Sequence, residues 1–180
     1  MIEAGAAFVA WVGASLVVLA DGRRGLALGA ALATAGLAAV VLDHGGAVEA
    51  GVLALGGAAA AGGRLLSGAA GWRIMPAGTT PRFVTCVAVA LIAAWFALVV
   101  TTGGGAGLRF AAVAVLGLSG ARVISSGEPA VLLTAVALLA LAIAAAAGFS
   151  AVAQGLWPYL AAALIAAGVC WVPVRRANAA

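Results

Sequence analysis

The sequence predicts an all-helical polytopic membrane protein with about seven transmembrane helices. Hydrophobic residues make up 66% of the 180-residue chain and charged residues only 8%, whereas a water-soluble domain carries about 25% charged residues. The apolar runs are continuous and rich in Ala, Leu and Val, without the alternation of a membrane barrel. They also have the length of about 20 residues that a helix needs to cross a hydrocarbon core of roughly 30 Å.

Seven apolar stretches joined by short connections account for the chain as one transmembrane domain. The predicted helices cover approximately residues 4–20, 25–42, 47–65, 83–101, 107–124, 129–147 and 151–173. In the first stretch the only early charge is Glu3, and Arg23 and Arg24 follow the apolar run. A signal peptide has its positive charges before that run, so we expect the first helix to be retained. Pro158 is expected to kink the seventh helix or to mark its true start.

The nine arginines, in a chain without lysine, predict the orientation. Seven crossings place eight of them at one face and only Arg109 at the other. Because basic residues accumulate on the cytoplasmic side, we expect a periplasmic N-terminus and a cytoplasmic C-terminus in the cytoplasmic (inner) membrane of a bacterium. The net charge of +4 follows from this distribution. It favours anionic membrane lipids as partners and not nucleic acid.

A shift of the chain by 58 positions indicates an internal repeat. Residues 21–68 then overlay residues 79–126, and Arg64 coincides with Arg122. The interpretation is a parallel repeat of helical hairpins, and the alternative is chance matching in a chain with 26 glycines. The resulting division is a first helix (1–20), hairpin one (21–68), hairpin two (79–126), a degenerate hairpin three (127–174) and a cytoplasmic tail (175–180).

Segments 62–68 and 120–129 share the pattern Gly-x-Arg-aliphatic-aliphatic-Ser. They resemble the helix ends of an uncharacterised family of small bacterial multipass membrane proteins, which is known as a domain of unknown function. The resemblance covers two short helix ends and implies no activity. For Arg64 and Arg122 themselves, the favoured interpretation is that both side chains extend to the cytoplasmic lipid headgroups and set the helix depth. The alternative is a bidentate contact with a carboxylate or a lipid phosphate.

Four polar residues at the outer helix ends form the candidate ligand site: Asp43, His44, Glu49 and Arg109. Two acids, an imidazole and a guanidinium are suited to a divalent cation, a polar headgroup or acid–base chemistry. The favoured interpretation is structural. In it, Asp43 and His44 form a hairpin turn, and Glu49 pairs with Arg109 or lies at a helix N-terminus where its charge is favourable.

Several kinds of chemistry are excluded by the residues that the chain lacks. Without lysine there is no retinal Schiff base, Walker phosphate loop or pyridoxal site, and a single histidine excludes bis-histidine haem within the chain. Two distant cysteines give no iron–sulfur or structural zinc signature. The sequence therefore predicts no cofactor, no metal site and no catalytic residue. The mid-membrane polar residues are neutral hydroxyls, which disfavours coupled ion transport: Ser15, Thr34, Ser119 and Thr134.

The leading functional prediction is a membrane scaffold or accessory subunit without catalysis of its own. It would pack small-residue faces against a partner protein, a second copy or lipid, because small residues spaced four apart let helices approach closely. The alternative is a passive transporter, channel or lipid-handling protein that uses a groove between hairpins. The third interpretation is a lipid-modifying enzyme built on the outer polar cluster.

Overall fold

Seven α-helices make up most of the protein, as the sequence predicts. The computed structural model describes residues 2–44, 46–67, 70–76, 78–100, 104–149 and 155–172. The helices are α1 (Ile2–Leu19), α2 (Arg23–His44), α3 (Ala47–Leu66), α4 (Thr80–Trp95), α5 (Ala106–Ser125), α6 (Pro129–Ala146) and α7 (Trp157–Trp171). A π-helical turn, Phe96–Val100, extends α4, and a short 3-10 turn, Ala147–Phe149, follows α6. In these ranges the chain forms no β-strand, only an isolated bridge between Ala20 and Ile74.

Five helical segments are long and apolar enough to cross a membrane: Ile2–Leu19, Arg23–His44, Thr80–Val99, Ala106–Ser125 and Pro129–Phe149. Glycines and two charged residues lower the hydropathy of α3, which is not among the five although it has 20 residues. Helix α7 has 15 residues, or roughly 22 Å at 1.5 Å per residue. Crossings by α3 and α7 therefore stay predictions. Because α7 begins at Trp157, Pro158 lies in its first turn and marks its start.

Six helices pack in the cyclic order α1, α2, α3, α7, α6, α5, and α5 closes the ring against α1. Helix α2 also contacts α5 and α6, so 67% of its membrane-length segment is buried. Helix α4 packs on the outside against α5 and α1, and only 17% of its segment is buried. Helix α2 is therefore enclosed by the other helices, whereas α4 is peripheral and leaves most of its residues outside the buried core.

Glycine allows the backbones of α1 and α2 to touch. A Cβ atom on Gly13 would lie 2.7 Å from the carbonyl oxygen of Gly29, and one on Gly36 would lie 2.5 Å from that of Ala6. Neither backbone atom can move away as a flexible side chain would. Since hydrophobic burial does not drive association between helices in lipid, this close packing is what holds α1 and α2 together.

The alternation of the helices gives the protein two ends. The Asp21 end contains the C-termini of α1, α3, α5 and α7 and the N-termini of α2, α4 and α6. Contacts of Asp21 with side chains of α4 and α5 bring this end together, and contacts of Glu3 with α2 and α5 join the opposite, Glu3 end. Of the seven described arginines, only Arg109 lies at the Glu3 end. Arg175 and Arg176 lie outside the described residues, and the direction of the protein in a membrane stays a prediction.

Candidate functional site

At the Glu3 end, a carboxylate from α1 caps the N-terminus of α5. Oε1 of Glu3 accepts hydrogen bonds from the backbone N–H groups of Gly107 (2.9 Å) and Leu108 (3.3 Å). The first N–H groups of a helix have no partner within the helix, and a negative charge there also opposes the positive end of the helix dipole. Gly107 makes room for the carboxylate, because a Cβ atom at this position would lie 2.6 Å from Cγ of Glu3. The sequence interpretation gave Glu3 no such role.

His44, the last residue of α2, lies beside the same carboxylate. Its Nε2 is 3.5 Å from Oε1 of Glu3, and its Nδ1 is 3.1 Å from the carbonyl oxygen of Val40. The imidazole therefore connects the end of α2 to the start of α5 through Glu3. Asp43, the preceding residue, is exposed.

A cavity of about 400 Å³ opens next to this contact. Its lining consists of His44, Phe96, Gly104, Gly105, Leu108, Arg109, Gly148 and Phe149. The volume is in the range of small-molecule sites, and two basic side chains accompany two aromatic rings, as in a pocket for a polar or anionic group. Nη1 of Arg109 donates to the carbonyl oxygen of Gly104 at 2.6 Å. Of the four residues of the predicted ligand site, His44 and Arg109 line this cavity, whereas Asp43 and Glu49 are not part of its lining.

The predicted ion pair between Glu49 and Arg109 is wrong, whereas the alternative that Glu49 lies at the N-terminal end of a helix agrees with its place in the first turn of α3. In the described part of the chain, the acids within 4.0 Å of a cationic side chain are Glu3, with His44, and Asp21, with two arginines. The packing explains the difference. Glu49 lies in the first turn of α3, whose main neighbours are α2 and α7, while Arg109 lies in the first turn of α5, whose main neighbours are α6 and α1. Within the same described ranges, no three His, Cys, Asp or Glu residues are grouped as a metal site would need.

At the opposite end, Asp21 joins three parts of the chain. It lies between α1 and α2, and Nη1 of Arg82, on α4, donates to both of its carboxylate oxygens at 3.1 Å. Nη2 of Arg122, on α5, donates to Oδ1 of Asp21 and also to the carbonyl oxygen of Ala20 at 3.3 Å. The side chains of Asp21 and Arg82 are partly exposed, whereas that of Arg122 is 1% exposed. Sequence reasoning missed this cluster, although Asp21 is a rare acid among the arginines of this end.

Arg64 and Arg122 are buried, so the favoured interpretation that both side chains extend to the lipid headgroups is wrong, whereas the contact of Arg122 with the carboxylate of Asp21 agrees with the alternative. The exposed fractions of the two arginines are 0% and 1%. Arg64 donates through Nη1 to the carbonyl oxygen of Ala130 (3.3 Å) and through Nη2 to that of Cys170 (2.5 Å). Each arginine thus binds a carbonyl at the C-terminal end of a neighbouring helix, α7 for Arg64 and α1 for Arg122. The last carbonyls of a helix lack partners and carry partial negative charge, so a guanidinium is favourable there.

Both guanidiniums are incompletely hydrogen-bonded. Nε of Arg64, and Nε and Nη1 of Arg122, have no hydrogen-bond partner among the described residues. A buried charge with unused donors costs free energy unless an acid compensates it. Arg122 has Asp21 as that acid, while Arg64 has only carbonyl oxygens. The two arginines therefore occupy similar positions near helix ends, but only the charge of Arg122 is balanced by an acid. The internal repeat that relates them stays a prediction.

Three of the four mid-membrane hydroxyls bond to their own helix. Thr34 donates to the carbonyl of Ala30 at 2.8 Å and Thr134 to that of Ala130 at 2.7 Å. Ser119 donates to the carbonyl of Val115. These contacts satisfy the hydroxyls within α2, α6 and α5, as is usual for Ser and Thr on apolar helices.

No family model, no curated protein and no solved structure matches this chain. The resemblance of the helix ends at 62–68 and 120–129 to a family of unknown function therefore stays a prediction.

Proposed function

We propose that this chain is an integral membrane scaffold or accessory subunit of a bacterial cytoplasmic membrane. In this proposal it binds a helix of another membrane-protein chain, from a second copy or a different protein, through the outer face of α2 and α3. The observation that carries the proposal is the size of the residues on that face. The N-terminus is expected to be periplasmic and the C-terminus cytoplasmic, as the arginine distribution predicts.

Helix α3 presents a row of small residues away from the bundle. Gly51, Ala54, Ala58 and Gly62 follow one another at spacings of three or four residues, which places them along one side of a helix. Ala54 and Ala58 are exposed, and a Cβ atom added to Gly51 or Gly62 would meet nothing within 4 Å. The chain itself therefore does not use the space that these small residues leave.

A second row of small residues lies on the neighbouring helix. Ala31, Ala35 and Ala39 of α2 are exposed and spaced four apart, and α2 packs beside α3. Two adjacent helices thus share a face on which a third backbone can approach closely, the arrangement that stabilises helix pairs in membranes. We call these seven residues of α2 and α3 the small-residue face.

Helix α4 provides the comparison that distinguishes this face from an ordinary lipid contact. Its exposed residues include Val84, Leu91, Ile92 and Trp95. Lipid tails pack well against large apolar side chains, so a lipid-facing helix has no need of small ones. Helices α2 and α3 also expose large residues, including Leu28 and Leu55, but the unbroken rows of Ala and Gly between them favour contact with protein at those rows.

The polar residues support a structural role in place of catalysis. Glu3 caps α5, Asp21 compensates Arg122, and Arg64 binds the end of α7. Each of these groups already has a partner that contributes to the fold. A lipid-modifying enzyme built on Asp43, His44, Glu49 and Arg109 loses support, because only two of the four line the cavity.

One observation favours the alternative of a passive transporter or lipid-handling protein. The cavity at the Glu3 end, with His44 and Arg109 beside Phe96 and Phe149, is suited to a polar or anionic headgroup. If that function dominates, Arg109→Gln should abolish the cellular role of the protein while leaving its binding partners unchanged.

Copurification from native membranes tests the proposal. Tagged protein is extracted in mild detergent, and the bound proteins are quantified by mass spectrometry for the wild type, Gly62→Leu and Val87→Leu. Overpacking of a close helix contact costs about 1–3 kcal/mol, so we expect Gly62→Leu to lower recovery of a partner, or of a differently tagged second copy, about tenfold. Val87→Leu, on the exposed side of α4, is the matched control and should leave recovery unchanged. Equal recovery with Gly62→Leu and the wild type, both folded, would contradict the proposal.

A further inference from the structure

The segment from residue 70 to residue 76, between α3 and α4, lies across the turn that joins α1 and α2. Three backbone hydrogen bonds fix this segment, which we call the strap. The N–H of Asp21 donates to the carbonyl of Arg73 at 3.1 Å, and the N–H of Met75 donates to the carbonyl of Leu19 at 2.9 Å. The N–H of Arg24 donates to the carbonyl of Gly71 at 3.3 Å. The strap is therefore a positioned element of the Asp21 end.

Two features show that this position is closely specified. A Cβ atom on Gly22 would lie 2.5 Å from the carbonyl oxygen of Gly71, and one on Gly25 would lie 2.9 Å from that of Trp72. Arg73 and Met75 also have positive φ angles of 38° and 51°, a backbone region that is unfavourable for side chains other than glycine. Such a conformation persists only where the surroundings hold it. Here the bonds to the α1–α2 turn do so.

The strap presents apolar and basic side chains together. Trp72, Arg73, Ile74 and Met75 are all exposed, with exposed fractions of 48% for Trp72 and 54% for Met75. A soluble surface rarely exposes such a run of large apolar residues. At a membrane–water interface, Trp partitions among the headgroups and Arg extends to phosphate, so the same set is favourable there.

The positive charge around the strap is not balanced by the protein. Arg73 is part of the strap, and the backbone N–H of Arg24 donates to the strap carbonyl of Gly71. Arg23 is the residue before Arg24 in the sequence. Within the described ranges none of these three forms an ion pair, and the nearby acid, Asp21, already binds Arg82 and Arg122. Arginines in the first turn of α2 oppose its helix dipole, so they do not stabilise that helix. The unbalanced charge is available to an anion from outside the chain.

We propose that Arg23, Arg24 and Arg73 bind the phosphate of an anionic phospholipid, and that Trp72 and Met75 rest among the headgroups and the adjoining acyl carbons. Guanidinium groups bind phosphate oxygens in pairs of parallel hydrogen bonds, which fixes a headgroup more specifically than a diffuse charge does. This site takes the headgroup role that the sequence suggested for the buried Arg64 and Arg122. It is independent of the small-residue face, because the two involve different residues.

Lipid association measured with spin-labelled lipids tests the site. The protein is reconstituted in phosphatidylcholine membranes, and the association constants of spin-labelled phosphatidylglycerol and phosphatidylcholine are compared. A basic residue near an anionic surface contributes about a fivefold preference. We expect the preference for phosphatidylglycerol to fall at least fivefold in the triple variant R23Q/R24Q/R73Q. Asp43→Asn, which changes an exposed acid at the opposite end that does not line the cavity there, is the control and should retain the wild-type preference.

A second variant distinguishes a binding site of defined structure from attraction of lipid by positive charge alone. Gly22→Ala keeps all nine arginines but displaces the strap through the clash with Gly71. Gly22→Ala should lose a measurable part of the preference for phosphatidylglycerol. In a separate competition experiment, 10 mM inorganic phosphate should not displace the labelled lipid from the wild type. An unchanged preference in the folded triple variant, an equally large change in Asp43→Asn, or an unchanged preference in folded Gly22→Ala would overturn the proposal. Displacement by inorganic phosphate would also overturn it, in favour of a free anion.

Discussion

Replacement of Asp21 by Asn should destabilise the protein by about 2–3 kcal/mol. Asn retains the shape of the side chain and one acceptor oxygen, so the main change is the loss of a negative charge. The contact with Arg82 contributes little, about 0–1 kcal/mol, because both side chains are partly exposed. The contact with Arg122 matters more, since that side chain is 1% exposed and has two nitrogens without hydrogen bonds. Removing the partner of a buried charge costs about 3–5 kcal/mol when the partner is also buried. The 26% exposure of the Asp21 side chain reduces that figure.

The measurement is unfolding in mixed micelles with increasing SDS, followed by tryptophan fluorescence. Asp43→Asn, an exposed acid at the other end, is the control and should change stability by less than about 0.5 kcal/mol. The double variant Asp21→Asn/Arg122→Met removes both charges and should be more stable than Asp21→Asn alone, because an apolar side chain has no charge to compensate. If Asp21→Asn has the stability of the wild type, or if Arg122→Met does not restore stability to it, the reasoning about the buried guanidinium is refuted.

Three further predictions concern packing, capping and topology. Gly13→Ala should lower stability by at least about 2 kcal/mol, because the added Cβ would meet backbone atoms of α2. At Gly120 a Cβ would meet nothing within 4 Å, so Gly120→Ala should raise stability by about 0.5–1 kcal/mol. The same SDS unfolding measures both, and equal effects would refute the packing of α1 on α2. Glu3→Gln should cost about 1 kcal/mol through the α5 cap, and Glu49→Gln less than about 0.5 kcal/mol; the reverse order would refute the assignment of the cap. Reporter fusions should place the N-terminus in the periplasm and the C-terminus in the cytoplasm, and finding both termini on one side would remove a crossing.

The helices were largely predictable from the sequence because each is a long apolar run bounded by glycine, proline or charge. The predicted third helix, residues 47–65, differs from α3 by a single residue at its end. The seventh was predicted to begin at residue 151, whereas α7 begins at Trp157, since Pro158 fits the first turn of a helix better than its interior. Arginine segregation also predicted which described side chains share an end. These features depend on residues that are close together along the chain, so the sequence alone is enough to predict them.

The polar contacts were much less predictable because they depend on which helices are neighbours. Glu49 and Arg109 both begin helices at the same end, yet α1 is the helix that brings an acid, Glu3, to α5. Arg64 and Arg122 have the sequence features of arginines that extend to the lipid surface. Their burial depends on the ends of α7 and α1, which are 106 and 102 residues away along the chain. Pairing over such distances leaves no signal in a single sequence.

The contacts of Arg64 bear on the order of membrane insertion. A chain is synthesised from its N-terminus, so if α3 crosses the membrane, as the sequence predicts, it enters before Ala130 and Cys170, the residues that accept hydrogen bonds from Arg64, have been made. During that interval the carbonyl oxygens that bind the guanidinium are absent, and we expect the side chain to extend to the lipid surface, as the sequence alone suggests. Arrival of α6 and α7 then provides two carbonyl oxygens and removes the side chain from the interface. If α7 also crosses, as the sequence predicts, its insertion is coupled to the burial of a charge on a helix made four helices earlier.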